Sequence, residues 1–333
     1  MRNVFQSVAV LLLVACAWAA PSTPSNLSAE QLLQSGRVDD AITILQQRIA
    51  AKNDDADAYN LLSRAHYTLN NYDQSIKAGE RAVSLQPNNA EYHLWLGRAY
   101  GRKAEHASWW SAASLAGKMR DEFERSVQIN GDDIDARTDL AEFYIEAPGI
   151  VGGGKDKAET QAKAVEMRDS STAHWIRARV AEKDKRFDVA EAEYKAAIQD
   201  SGDRADNWLS LASFYRRRDR LPEMEQAINK AVASQKKAEG KSTYYDAATL
   251  LWKTGRQLPQ AAQFLARYLS SKEKVEDAPA FQAHYLLGQI YEKQGDRAAA
   301  AREYQSALKL AKDYREAREA LARVGPVAAA NTQ

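Results

Sequence analysis

The chain has 333 residues, 45% of them hydrophobic, with 46 basic residues set against 45 acidic ones and no polybasic or polyacidic block. That balance argues against nucleic acid or an anionic membrane as the principal partner, since both select for clustered positive charge. Abundant alanine beside only 16 glycines and 8 prolines favours helices, and one cysteine excludes an intramolecular disulfide, a CxxC redox pair and a cysteine zinc site.

Residues 1–20 read as a secretory signal and not as part of the fold. Arg2 supplies the positive start, Val8 to Ala15 is an apolar run too short to span a bilayer, and Ala17-Trp18-Ala19 fits a small-x-small cleavage site. Cleavage is expected after Ala19 or Ala20, which places the protein in the periplasm or outside the cell. Leu13-Val14-Ala15-Cys16 offers an alternative, because it resembles a lipobox in which Cys16 is acylated and anchors the chain to the outer membrane. The residues that follow, Ala17 to Ala20, stay apolar where lipoprotein linkers turn polar. Residues 21–27 form a Pro/Ser/Thr-rich linker.

From residue 28 onward the same pattern returns. Gly36, Ala41 and Leu45 belong to a first unit with a weak opening helix. Ala56 to Asn89 carries Tyr59, Leu62, Ser63 and Ala82, and Pro87 ends its second helix because it lacks the amide proton that would extend the ladder. The next unit has Leu96-Gly97 and Tyr100, but its second helix, with Met119, Phe123 and Ser126, arrives about ten residues late, beyond an insertion at 102–117. Ile134 opens a unit with Leu140, Ala141 and Tyr144, interrupted at 147–154 by Pro148 and four glycines. Lys155 to Arg168 resumes with Ala158, Ala162 and Val165 facing inward. Three further units carry Ala178, Ala190, Tyr194 and Ala197; then Trp208, Leu211, Ala212, Tyr215, Ile228 and Ala231; then Tyr245, Trp252, Ala261, Leu265 and Tyr268, extended by a few residues before Pro279. The last full unit, Ala280 to Asp313, holds Leu287, Gly288, Tyr291, Gly295, Ala300, Tyr304 and Ala307.

These spacings resemble the tetratricopeptide repeat, a pair of antiparallel helices packed through small residues at positions 8, 20 and 27. The resemblance spans residues 28–324 with about eight helix pairs and implies an all-α, right-handed superhelical solenoid. It also implies that 314–324 is a capping helix that solvates the end of the array, and that 325–333 is a disordered tail. Gly101-Arg102-Lys103-Ala104-Glu105, Ala113-Ser114-Leu115-Ala116 and Ala147 to Gly154 are similar to segments of bacterial exported tetratricopeptide proteins of unassigned function.

Catalytic signatures are weak. Gly149 to Asp156 has the spacing of a phosphate-binding loop, but Asp156 stands where a magnesium-binding hydroxyl is needed, and a helix precedes it where a strand belongs. Consecutive glycine amides there could hold an anion, although a flexible inter-helix loop is the simpler expectation. His66, His93, His106, His174 and His284 are scattered singly, and His93, His174 and His284 fall where aromatic residues pack, so no metal site and no cofactor is expected. No GxSxG elbow or Cys–His pair is present. An enzyme is the least favoured class.

What remains is the concave face. In tetratricopeptide arrays the first helix of each pair lines the groove, and the resemblance carries this role onto Asn60, Arg64, Tyr67, Trp95, Arg98, Arg102, Asp139, Glu142, Trp175, Arg179 and Arg216. Such a groove alternates basic with aromatic, then acidic, then basic, and suits a mixed-charge peptide or protein terminus better than a polyanion. Asn60 with Arg64, Arg98 and Arg102 approaches the carboxylate clamp of chaperone-binding repeats. Adjacent helical residues diverge by about 100°. Of Trp109 and Trp110, one is therefore expected to pack under the insertion and the other to stand out as an anchor for a partner or membrane surface. The expected function is a non-catalytic scaffold of the bacterial cell envelope with a protein or peptide partner; the alternative is an envelope assembly factor.

Overall fold

The computed structural model describes residues 27–234, 242–272 and 274–325; the leader, Cys16, the linker to residue 26 and the tail from 326 lie outside them. The described residues form helices with no strand. Eight antiparallel pairs follow in order: α1 (Ala29–Gln34) with α2 (Val38–Ala51), α3 (Ala56–Thr68) with α4 (Tyr72–Leu85), α5 (Ala90–Ala104) with α6 (Trp109–Ile129), and α7 (Ile134–Glu146) with α8 (Lys155–Val165). Then come α9 (Ser170–Lys183) with α10 (Phe187–Asp200), α11 (Ala205–Arg217) with α12 (Leu221–Ser234), α13 (Thr243–Thr254) with α14 (Leu258–Ser270), and α15 (Ala280–Lys293) with α16 (Arg297–Leu310). A single helix, α17 (Arg315–Val324), ends the array.

Local chemistry starts these helices. Asp55, Asn89, Asp133 and Asp169 each accept a backbone N–H of the first turn, so four inner helices begin at a side-chain cap. Within each pair the approach is set by small residues facing large ones. A Cβ at Gly97 would lie 2.5 Å from the Phe123 ring, and one at Gly288 would lie 2.5 Å from Tyr304. Ser63, Ala141, Ala178 and Ala212 hold the same place in other units and are all buried. The late second helix of the third unit is the 21-residue α6, which absorbs the insertion as length.

Three histidines join the helices of their pairs by the same bond. His174 Nδ1 meets Glu193 at 2.6 Å, His284 meets Glu303 at 2.7 Å, and His93 meets Glu122 at 2.5 Å. The first two span 19 residues and the third 29, so the bond survives an offset equal to the insertion. Aromatic packing alone, the expectation from sequence, understates these positions.

The ends of the array meet. Leu32, Leu33, Val38 and Ala41 of the first unit share one apolar cluster with Phe281, Ala311, Tyr314 and Ala317 of the last. Three hydrogen bonds reinforce this seam: Gln282 Nε2 donates to the Thr68 carbonyl (2.7 Å), Asn70 Nδ2 to Glu316 (2.9 Å), and the Lys312 amide to Asp39 (2.8 Å). The solenoid thus closes on itself. One expectation changes as a result. The first unit, with its weak opening helix, packs against the last, and α17, expected only to solvate the end of the array, is wedged into the seam besides covering α16.

Candidate functional site

The inner helices surround a channel with two chambers. One, of about 700 Å³, is bounded by Arg64, Glu91, Trp95, Arg98, Asp135 and the segment Lys274–Asp277. The other, of about 510 Å³, is bounded by Tyr67, Trp95, Arg98, Arg102, Glu142 and Glu146, with Met119 and Phe143 on its apolar side. Trp95, Arg98 and Asp277 belong to both walls and form the passage between them.

Trp95 is the centre of this passage. The guanidinium carbons of Arg64 and Arg98 lie 4.9 and 4.8 Å from its ring centroid, and Tyr67 meets it edge-on at 5.7 Å. Cations over an indole are held by its quadrupole, and the ring in turn keeps the arginines extended toward the channel. Arg98 Nε donates to Asp139 at 2.6 Å. Arg179 bonds Glu146 at 2.9 Å and Glu142 at 3.5 Å, and its guanidinium carbon lies 6.0 Å from the centre of Trp175. Arg102 pairs with Glu105 and lies over Tyr72. Burial pushes the Asp139 and Glu142 carboxyls up although Arg98 and Arg179 pull them down, and it pushes the Tyr67 phenol up to about 12.

Five groove positions differ from the sequence expectation: Trp175, Arg179 and Arg216, like Asn60, border neither chamber, and Arg64 is occupied. Asn60 is only 3% exposed, its Oδ1 has no partner, and it borders neither chamber. Arg64 is already gripped from within: its Nε and Nη2 donate to Glu276 at 2.9 and 2.5 Å, and its Nη1 donates to Glu91 at 2.8 Å. The clamp-like set therefore reduces to Arg98 and Arg102 as channel cations. Arg216 is half-buried, its Nε has no partner, and its charge, after burial, helps hold the Lys253 ammonium below its usual value.

Sequence reasoning missed Glu276 and Asp277. The only signal was the surplus of residues before Pro279. That segment is anchored to its own unit, because the Tyr268 hydroxyl donates to the Ala278 carbonyl at 2.5 Å and accepts from the Val275 amide at 3.3 Å. Its two acidic residues are thereby directed across the channel.

The glycine loop provides no anion cradle. The amides of Val151, Gly152, Gly153 and Gly154 all donate to carbonyls of Pro148, Gly149 or Tyr144. A Cβ at Gly153 would lie 1.8 Å from the Ala147 oxygen, so this glycine serves a tight fold-back. Trp109 and Trp110 also depart from expectation: neither packs under the insertion. They are 69% and 79% exposed and meet each other edge-on at 4.3 Å.

Three segments match the tetratricopeptide repeat family: residues 32–99, 152–207 and 281–314. No curated protein matches the chain. Among solved structures the chain is similar to yeast Tom70, with 12% identity over 90% of this chain and 64% of that one, at a TM-score of 0.52. It is also similar to a thermophilic TPR protein of Thermus thermophilus (21% identity, 56% and 94% coverage, TM-score 0.46) and to a tetratricopeptide repeat protein from Parabacteroides merdae (14%, 81% and 98%, 0.41). The Tom70 likeness concerns the fold alone, and the chain spans just under two thirds of that protein.

Proposed function

Because the chain is built of tetratricopeptide repeats, a fold that binds protein or peptide partners, we propose that it is a non-catalytic scaffold of the bacterial cell envelope, exported by its N-terminal leader, that holds an extended peptide in its channel. The observation that carries the reading is the channel wall itself. It offers a flat indole, two guanidiniums and a row of carboxylates at Asp139, Glu142 and Glu146 within one passage. A mixed-charge strand can satisfy such a wall. Paired charges contribute registry more than raw affinity, so the arrangement favours selectivity.

The test is a photo-reactive residue placed either at Glu146 in the channel or at Val189 on the outer helix α10. Partner adducts from position 146 that diminish with Arg98→Ala and are absent from position 189 would support the reading. Equal adducts from both positions would overturn it. The mass of the mature N-terminus tests the address: a free terminus after Ala19 or Ala20 indicates soluble export, and an acylated Cys16 indicates an anchored form.

A second reading, an envelope assembly factor, has its own observation. The exposed Trp109–Trp110 pair presents apolar area that no other described residue covers. Loss of partner recovery on Trp109→Ser/Trp110→Ser, with channel adducts unchanged, would favour it.

A further inference from the structure

α6 has 21 residues, whereas the second helix of every other pair has 11 to 14. The extra length lies at one end. Tyr304, which packs on Gly288 as Phe123 packs on Gly97, is the eighth residue of α16, whereas Phe123 is the fifteenth of α6. Residues 109–115 therefore precede the part that matches α16 and add about 10 Å to the helix. Leu115 is the first residue of α6 to pack against a core cluster. Ahead of it the helix begins with the exposed Trp109 and Trp110, and Ala107 to Gly117 carries no charged residue. The charges that flank this tip are already paired: Arg102 with Glu105, Lys103 with Asp73 and, at 4.0 Å, Lys118 with Glu80. His106 stacks on Tyr72. At 69% and 79% exposure the two indoles offer roughly 350 Å². That is less than half of the ~800 Å² a side that a stable protein interface buries, and the tip has no charge with which to build its polar rim. A lipid surface asks for less: an apolar body that enters the acyl boundary and a polar N–H that stays among the headgroups, which is the chemistry of indole.

We propose that Trp109 and Trp110 seat the tip of α6 in the headgroup–acyl boundary of a lipid bilayer, with neutral headgroups sufficient. No helix among the described residues is long and apolar enough to cross a membrane, so the contact is peripheral. The inference does not depend on what fills the channel; it rests on the exposed pair of the envelope-assembly reading and gives that pair a lipid partner. Ala116 and Met119, just behind the tip, line the smaller chamber. A seated tip therefore holds the edge of that chamber beside the lipid surface.

The experiment uses the full chain with Cys16→Ser and one new thiol, Ser111→Cys at the tip or Val189→Cys on α10. Each form is labelled with an environment-sensitive fluorophore and mixed with phosphatidylcholine vesicles. The tip label should shift to the blue and brighten several-fold, and lipids brominated high on their acyl chains should quench it. The α10 label should do neither, which separates seating of the tip from any contact made by the apolar leader. Trp109→Ser/Trp110→Ser should weaken the tip response to vesicles about tenfold or more. Both side chains are exposed, so this variant keeps the parental helicity. High salt should leave the response unchanged, because the flanking charges are paired. A tip label that ignores vesicles, responds equally in the serine variant, or responds only to anionic lipid at low salt would overturn the proposal. Crosslinks from position 111 to a second copy or to an envelope protein, without a vesicle response, overturn it too. In that last case loss of a protein partner on Trp109→Ser/Trp110→Ser leaves the assembly-factor reading standing, and an unchanged partner set removes both.

Discussion

The interfaces between successive units and the seam that joins the two ends are built from different materials. Along the stack, contacts repeat: a small residue at Gly97, Ala178, Ala212 or Gly288 faces an aromatic ring or an aliphatic side chain of its pair, and the core from α9 to α15 is one continuous cluster. At the seam nothing repeats. Gln282, Asn70, Glu316, Asp39, Arg64 and Glu276 each appear once, above the apolar cluster that the two ends share. The stack is therefore additive and local, whereas the seam is a single event in which non-repeating polar bonds join an apolar cluster shared by the two ends.

Four substitutions sharpen that contrast. Phe123→Ala should have the largest effect, lowering the unfolding free energy by about 4 kcal/mol in a denaturant titration, because a fully buried ring leaves a cavity against Gly97. Arg64→Met strands the buried Glu276 carboxylate and should cost about 3 kcal/mol, of which the double variant Arg64→Met/Glu276→Leu should recover most. If that double variant instead opens the chain while helicity stays constant, as read by small-angle scattering, the pair is what closes the seam.

Asp246→Asn should act in the opposite direction. Burial raises this carboxyl to about 6, and Asp277 nearby adds to the effect. The folded state therefore carries a penalty at pH 7 that disappears as the pH falls through about 6 toward the unfolded value. The asparagine variant should gain on the order of 2 kcal/mol at pH 7 and nothing near pH 4. The smallest effect belongs to His93. Burial works against its charge, but the bonds to Glu122 and the Pro87 carbonyl outweigh it and raise its value. Its contribution is present in full below the unfolded histidine value and is lost as pH rises through the folded one. His93→Gln should thus flatten the difference in Tm between pH 6 and pH 8.

The contrast also explains what could be read in advance. Small residues spaced as Gly288, Ala300 and Ala307 dictate the helix pairs, and Pro148 with its glycines dictates a break, because both follow from backbone sterics within one unit. The inner-helix register placed Trp95, Arg98, Asp139 and Glu142 on the channel wall for the same reason. It could not show that Arg64 is filled or that Arg98 and Arg179 are paired, because their partners lie in other units and, for Arg64, 212 residues away. Nor could it foresee that both tryptophans of the insertion stand free, since that depends on where the lengthened α6 begins.

The seam has a consequence for how the chain is made. Asp39 waits for Lys312, and Thr68 waits for Gln282. At about 5–20 residues per second of synthesis, the first units exist for many seconds before their partners do. During that interval Leu32, Leu33 and Val38 are uncovered in a half-finished protein, and the nascent N-terminus is the part that most needs a holdase.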